Sequence, residues 1–143
     1  MTKLSCGSKK GFTLLEVLLV IGIIAILAGI VILAINPSKQ LADARDAQRR
    51  SDVSALANAV YQYAIDSGNN MQYIIDTYTI GATCETDVAA MEAVLVPDFI
   101  SAMPVDPTFA TLGSAYWMGI DATSLRLTVC APAAENDSIT ITK

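Results

Sequence analysis

From residue 12 to residue 35 the chain is apolar almost without a break, interrupted only by Thr13, Glu16, Gly22 and Gly29. Wound as a helix, this stretch measures about 36 Å, enough to cross a hydrocarbon layer of about 30 Å. A secretory signal peptide would have a shorter apolar region followed at once by a small-residue cleavage site. Here the first such triplet, Ala42-Asp43-Ala44, lies beyond Pro37 and Lys39. The run is therefore expected to stay on the protein.

The helical pattern continues past it. Pro37 must interrupt the ladder, because proline has no N–H to bond back one turn. A kink at Asn36-Pro37 and a fresh start capped by Ser38 both fit the residues. Beyond them Leu41, Ala44, Val53, Leu56, Ala57, Val60 and Ala64 recur at three- and four-residue spacings, giving one apolar helix face. Asp46 precedes Arg50 by four residues, the spacing of a favourable helix pair. The turn formers at 66–70 then end the helix. Residues 12–67 would make about 84 Å of helix. No globule of this size needs so much, so part of it must be covered by lipid or by other chains.

The remaining residues predict a small mixed domain. A short helix is expected over 87–95. A loop follows over 96–108, with Pro97, Pro104 and Pro107 and a helical turn at 98–102. Strands are expected over 115–120, 125–131 and 138–142, the first two joined by a turn at 121–124. Three antiparallel strands could lay one apolar face on Val53, Leu56 and Val60. The fold class is α+β, a long N-terminal helix packed by its C-terminal half on a small antiparallel sheet.

Composition narrows the function. With 53% apolar and 16% charged residues over 143, the chain is one modest domain plus an extension, and disorder is excluded. The net charge of −5 hides an asymmetry. Residues 1–65 carry seven bases and four acids, whereas 66–143 carry two bases and ten acids. An acidic outer half argues against direct nucleic-acid binding. There is no histidine, no nucleophile constellation and no phosphate loop, so an enzyme is not expected. No cofactor is expected either.

Basic residues flank the apolar run on both sides: Lys3, Lys9 and Lys10 before it, and Lys39, Arg45, Arg49 and Arg50 after it. Charge alone therefore leaves orientation nearly tied. The cysteines favour export of the C-terminal part. Cys6 lies in the polar leader, and without it Cys84 and Cys130 form an even pair suited to one disulfide in an oxidising compartment. Two packed, reduced cysteines are the alternative.

Asp76, Glu85, Asp87, Asp98, Asp106 and Asp121 offer oxygens of the kind calcium takes, but without regular ligand spacing. They read as a solvated acidic surface, and no metal site is assigned. Arg45, Arg49 and Arg50 could meet lipid headgroups, acids on a neighbouring chain, or only water. Asn136-Asp137-Ser138 matches a glycosylation triplet, a short and unspecific pattern. Tyr61, Tyr63, Tyr73, Tyr78 and Trp117 read as packing and rim residues.

Glu16 is the polar position that matters most. A carboxylate inside a bilayer costs about 2.5–3.5 kcal/mol even on lenient scales. Either Glu16 lies near the membrane surface and reaches water, or it has a partner. Cleavage of the accessible bond between Gly11 and Phe12 would remove the polar leader and create an α-amine on Phe12, with an ordinary pKa near 8. On a helix starting at Phe12 that amine would lie about 6 Å along the axis from Glu16. Two such rods offset by about one turn could pair amine with carboxylate while burying their apolar side chains. Such a contact is heterologous and generates open filaments.

The segment 9–21, Lys-Lys-Gly-Phe-Thr-Leu-Leu-Glu-Val-Leu-Leu-Val-Ile, resembles the N-terminal signature of type IV pilins and their pseudopilin relatives. That resemblance implies a prepilin peptidase cutting after Gly11 and methylating the amine of Phe12. It implies Glu16 as the partner of a neighbouring subunit's amine, and a lollipop fold. It divides the chain into a leader (1–11), an apolar membrane and polymerisation helix (12–35), an amphipathic half of that helix (36–67) and a head (68–143). The segment 96–107 and the strands are similar, more loosely, to the family's loop and sheet.

Two features depart from the family pattern. Leu33 occupies the usual place of a helix-kinking proline, which leaves Gly22, Gly29 and Pro37 as the candidate bend points. The cysteine pair also spans most of the head. The resemblance implies a homopolymer of identical subunits, stored in the cytoplasmic membrane with its head outside. An inner-membrane assembly platform and its ATPase would then build the fibre. The reading taken is a structural pilin of an extracellular type IV pilus serving adhesion, motility or DNA uptake. The alternatives are a pseudopilin of a type II secretion or competence apparatus, in which relatives often bind calcium, and a membrane-tethered binding domain that never polymerises.

Overall fold

The computed structural model describes residues 11–66, 68, 70–109 and 115–143. The leader residues 1–10, with Cys6 and its lysines, and the expected helix end at Ser67 and Asn69 lie outside the described residues. The chain divides into two compact units, one reaching to Ser38 and one running from Lys39 to Lys143.

In the first unit the apolar run forms α1, Leu14–Ala34. It starts two residues later than the hydropathy pattern indicates, because Thr13 acts as the N-cap. Its backbone is extended, and its Oγ1 accepts the N–H of Glu16 at 3.2 Å. This satisfies one of the donors that the first turn leaves free. Gly11 and Phe12 thus lie ahead of the helix, so helical rise does not set the distance from Phe12 to Glu16. The helix passes Gly22 and Gly29 unbroken and ends where Ile35 turns extended. Pro37 is the cause. A residue before proline is disfavoured in the α region, and proline itself suits the first helical position. The structure accordingly has a fresh start at Pro37, with Ser38 Oγ donating to Asn36 Oδ1 at 2.6 Å rather than capping.

That second helix, α2, spans Pro37–Asp66. From Lys39 onward it belongs to the second unit, where it supplies one wall of the core. Val53, Leu56, Ala57, Val60 and Ala64 share a buried cluster with Met118, Ile120, Leu127, Val129 and Ile139. Next comes α3, Met71–Tyr78, absent from the sequence expectation. Asn70 caps it by accepting the N–H of Tyr73 at 3.0 Å, and Met71 and Ile74 are buried.

The expected helix over 87–95 is split. Asp87 caps a 3-10 turn at Val88–Met91, and α4, Glu92–Leu95, follows. The chain then turns at 96–99 rather than at 98–102.

Among the described residues the sheet has four antiparallel strands, not three. They are β1 (Thr86–Asp87), β2 (Trp117–Ile120), β3 (Leu127–Ala131) and β4 (Ile139–Thr142), adjacent in chain order. Trp117 faces Cys130 across β2 and β3, and Cys130 faces Thr140 across β3 and β4. Alternation places Leu127, Val129 and Ala131 in the core. The β2–β3 turn is held by Asp121, whose Oδ1 accepts the N–H groups of Thr123 and Ser124 at 2.9 and 2.7 Å. Gly119 is required by close approach, since a Cβ there would lie 2.3 Å from the carbonyl oxygen of Thr83. Cys84 is disulfide-bonded to Cys130, and the bridge ties that crossing segment to β3.

Candidate assembly site

In the first unit, α1 carries the candidate assembly residues. Its 21 residues measure about 31 Å, long and apolar enough to cross a membrane. None of its side chains is buried by the rest of the chain. Phe12 is 84% exposed and Leu33 89%. An apolar rod of this length is not stable bare in water, so its surface has to be covered from outside the chain.

The carboxylate of Glu16, in the first turn of this rod, forms no ion pair within the described residues. The Gly11–Phe12 bond precedes the cap and is exposed. A Cβ on Gly11 would meet nothing within 4 Å, so packing within the chain does not demand glycine there. Gly22 and Gly29 are equally open. Gly11, Phe12 and Glu16 thus lie together at one exposed, otherwise apolar end. The break near Pro37 lies at the other end of α1.

In the second unit a separate network holds α2 in the head, and here the structure departs from the sequence reading. Arg49 is fully buried, neither a solvated cation nor a headgroup contact. Its Nε donates to Asp106 Oδ2 at 2.8 Å and its Nη2 to Asp106 Oδ1 at 3.2 Å. Nη1 donates to Asp46 Oδ1 at 2.8 Å and to Glu135 Oε1 at 3.2 Å, and Nη2 also reaches Thr108 Oγ1 at 3.0 Å. Asp46 therefore pairs with Arg49 rather than with Arg50, and Arg50 stays exposed. Arg45 forms a two-bond pair with Glu135.

Asp46 also accepts the backbone N–H groups of Glu135 and Asn136 at 3.0 and 2.9 Å, and the side-chain amide of Asn136 at 3.0 Å. The Asn136 amide is thereby engaged, since it also donates to Asp43. Burial opposes ionisation of Asp46. The hydrogen bonds from the Glu135 N–H, Arg49 and Asn136 outweigh it and hold the carboxyl down at about 2. The hydrogen bond to Asp106 raises the Arg49 value against the desolvation that lowers it, so the guanidinium stays charged.

One turn on, Tyr116 donates its hydroxyl to Asp52 Oδ2 at 2.7 Å. Burial first, and then that bond, push the phenol up and keep it a donor. No buried side-chain nitrogen or oxygen among the described residues lacks a partner. The network is a set of pins that fixes α2 against the 106–108 and 134–136 segments.

Of the six acids with calcium-type oxygens, Asp106 is thus turned inward, contrary to the solvated surface expected of it. Asp76, Asp87 and Asp121 accept hydrogen bonds from their own turns or helices. Among the described residues no group of three acids or cysteines is placed to hold a metal ion.

Residues 6–32 match the prokaryotic N-terminal methylation motif. The chain is 37% identical over 101 residues to type II secretion system core protein G of Aeromonas hydrophila, covering 69% of this chain and 67% of that protein. It is 42% identical over 59 residues to type II secretion system core protein G of Escherichia coli (strain K12), covering 41% of this chain and 39% of that protein. No solved structure matches the chain at a significant level.

Proposed function

From the premise that the chain belongs to the family of type II secretion system core protein G, within the type IV pilin-like superfamily, we propose that it is a pseudopilin. It is a structural subunit, not an enzyme, that polymerises through α1 into the fibre of a type II secretion apparatus. The observation that carries this reading is the rod itself: a helix of 21 exposed residues, apolar but for Glu16 and two glycines, whose one carboxylate forms no ion pair among the described residues. The relatives favour the secretion apparatus over a surface pilus serving adhesion, motility or DNA uptake.

In this reading a prepilin peptidase cuts between Gly11 and Phe12 and methylates the new amine. The amine of Phe12 on an incoming copy neutralises Glu16 of its neighbour, and the residues of α1 bury one another. Residues 1–11 are the leader, 12–35 the membrane and polymerisation segment, 36–67 the helix that bears the head, and 68–143 the rest of the head. Gly22, Gly29 and the break at Pro37 are where the rod can bend when it changes surroundings. Before assembly the subunit sits in lipid of the cytoplasmic membrane with its head outside, where Cys84 and Cys130 are oxidised. A membrane platform and its ATPase drive the transfer into the fibre.

The test is the intact mass and N-terminal sequence of the protein taken from cells. A chain beginning at methylated Phe12 is expected. Mature material still beginning at Met1 would overturn the proposal and leave a plain membrane-tethered domain.

A further inference from the structure

Within the second unit the charges left without internal partners are unevenly placed. Lys39, Arg45, Arg49 and Lys143 all interact within the chain. Arg50 is exposed, and among the described residues no ion pair or hydrogen bond engages it. It stands on an exposed face of α2 beside Ala47 and Ser51, small residues that let another chain approach closely. Arg126 is also exposed, but it shares its tight turn with the carboxylate of Asp121.

Sixteen residues further along α2, Asp66 and Ile65 form a shallow groove of about 480 Å³ with Gln62, Asp98 and Phe99. Asp66 and Asp98 are both exposed and take no part in an ion pair among the described residues. Ile65 is 76% exposed. Two carboxylates over an apolar floor match a guanidinium on an aliphatic stem.

We propose that this groove seats Arg50 of a second copy, its guanidinium between Asp66 and Asp98 and its stem on Ile65 and Phe99. Arg50 and Asp66 lie about 24 Å apart on one helix, so no copy can close the contact on itself. Two different patches meet, and repetition leaves one open half at each end of a growing chain of subunits. The inference rests on the polymerising reading and adds to it a contact between heads that fixes their polarity.

The experiment uses the full-length chain in cells that assemble it. Arg50→Glu is expected to deplete fibres, as is Asp66→Arg with Asp98→Arg, and combining all three is expected to restore them. Independently, a chain carrying Arg50→Cys and Asp66→Cys is treated with a bismaleimide too short to span 24 Å. A ladder of covalent multimers under denaturing conditions is expected. If Arg50→Glu assembles normally, or the cysteine pair gives monomer alone, the head contact is wrong. Glu16→Ala run in parallel separates the two readings: its loss of fibres beside a normal Arg50→Glu keeps the polymerising reading, whereas normal assembly of both removes it.

Discussion

Arg49 and Asp106 meet side by side inside the head, Nε to Oδ2 at 2.8 Å and Nη2 to Oδ1 at 3.2 Å, although 57 residues separate them in sequence. Both are almost wholly buried. A buried pair of this kind adds little net stability over an apolar substitute, yet removing one partner strands the other in a low-dielectric interior. Its value is positional, since a bidentate guanidinium accepts only one orientation of its carboxylate.

Arg49→Ala should therefore destabilise the head by about 3–5 kcal/mol, because it leaves Asp46 and Asp106 without their cation. Arg50→Ala, one residue away and exposed, should change stability by less than about 0.5 kcal/mol. Denaturant unfolding of the detergent-solubilised chain, followed by the fluorescence of Trp117, separates the two. Equal effects would contradict the buried network.

Asp46 gives the head an acid limit. Its carboxyl titrates at about 2 in the folded chain against an ordinary 3.8. A depressed carboxylate contributes stability that is present above its unfolded value and lost as pH falls through its folded value. Stability should hold from neutral pH down to about 4 and then fall by about 2 kcal/mol toward pH 2. Asp46→Asn should flatten that slope. A pH series of unfolding midpoints measures it.

These two expectations come from residues whose roles the sequence conceals. Hydropathy and periodicity were enough for α1, for the break at Pro37, for β2 to β4 and for the buried face of α2 from Val53 to Ala64, whereas Leu41 and Ala44, expected on that face, are exposed. In each of those elements the signal lies within a few consecutive residues. The burial of Arg49 has no local signal, because Asp106 and Glu135 lie 57 and 86 residues away. β1, two residues long, is too short to carry a pattern. α3 was legible, since Met71, Ile74, Ile75 and Tyr78 follow helical spacing behind a capping Asn70. The turn formers at 66–70 draw the eye to an end where there is also a beginning.

Reduction of the bridge between Cys84 and Cys130 releases a loop spanning 46 residues of sequence. On loop entropy this should cost the head about 4 kcal/mol. Thermal unfolding with and without a reductant, or of the Cys84→Ser, Cys130→Ser double variant, tests it.

Gly119→Ala should be among the most damaging single-methyl changes in the sheet. The new Cβ would lie 2.3 Å from the backbone oxygen of Thr83 and 2.5 Å from its carbonyl carbon. Backbone cannot rotate aside as a side chain can, so overpacking of about 1–3 kcal/mol or more is expected. Ala at Gly22, where a Cβ meets nothing within 4 Å, should leave the head's unfolding midpoint unchanged.

On the proposed function, Glu16→Gln should abolish fibres while leaving head stability and Trp117 fluorescence as they are, because Glu16 is exposed and forms no ion pair among the described residues. Electron microscopy of sheared material, paired with the unfolding curve, reads both effects from one preparation.

The exposed surface of α1 has a consequence for energetics on a larger scale. Lipid tails are about as apolar as leucine, so a bilayer and a bundle of like rods are nearly equivalent solvents for such a helix. Passage from one to the other is then close to a partition at equilibrium, with Glu16 as the main position that distinguishes the two phases. A motor acting on this subunit would have little to overcome in either direction. On the proposed function, the apolar segment is less a fixed anchor than a part that can be handed back and forth.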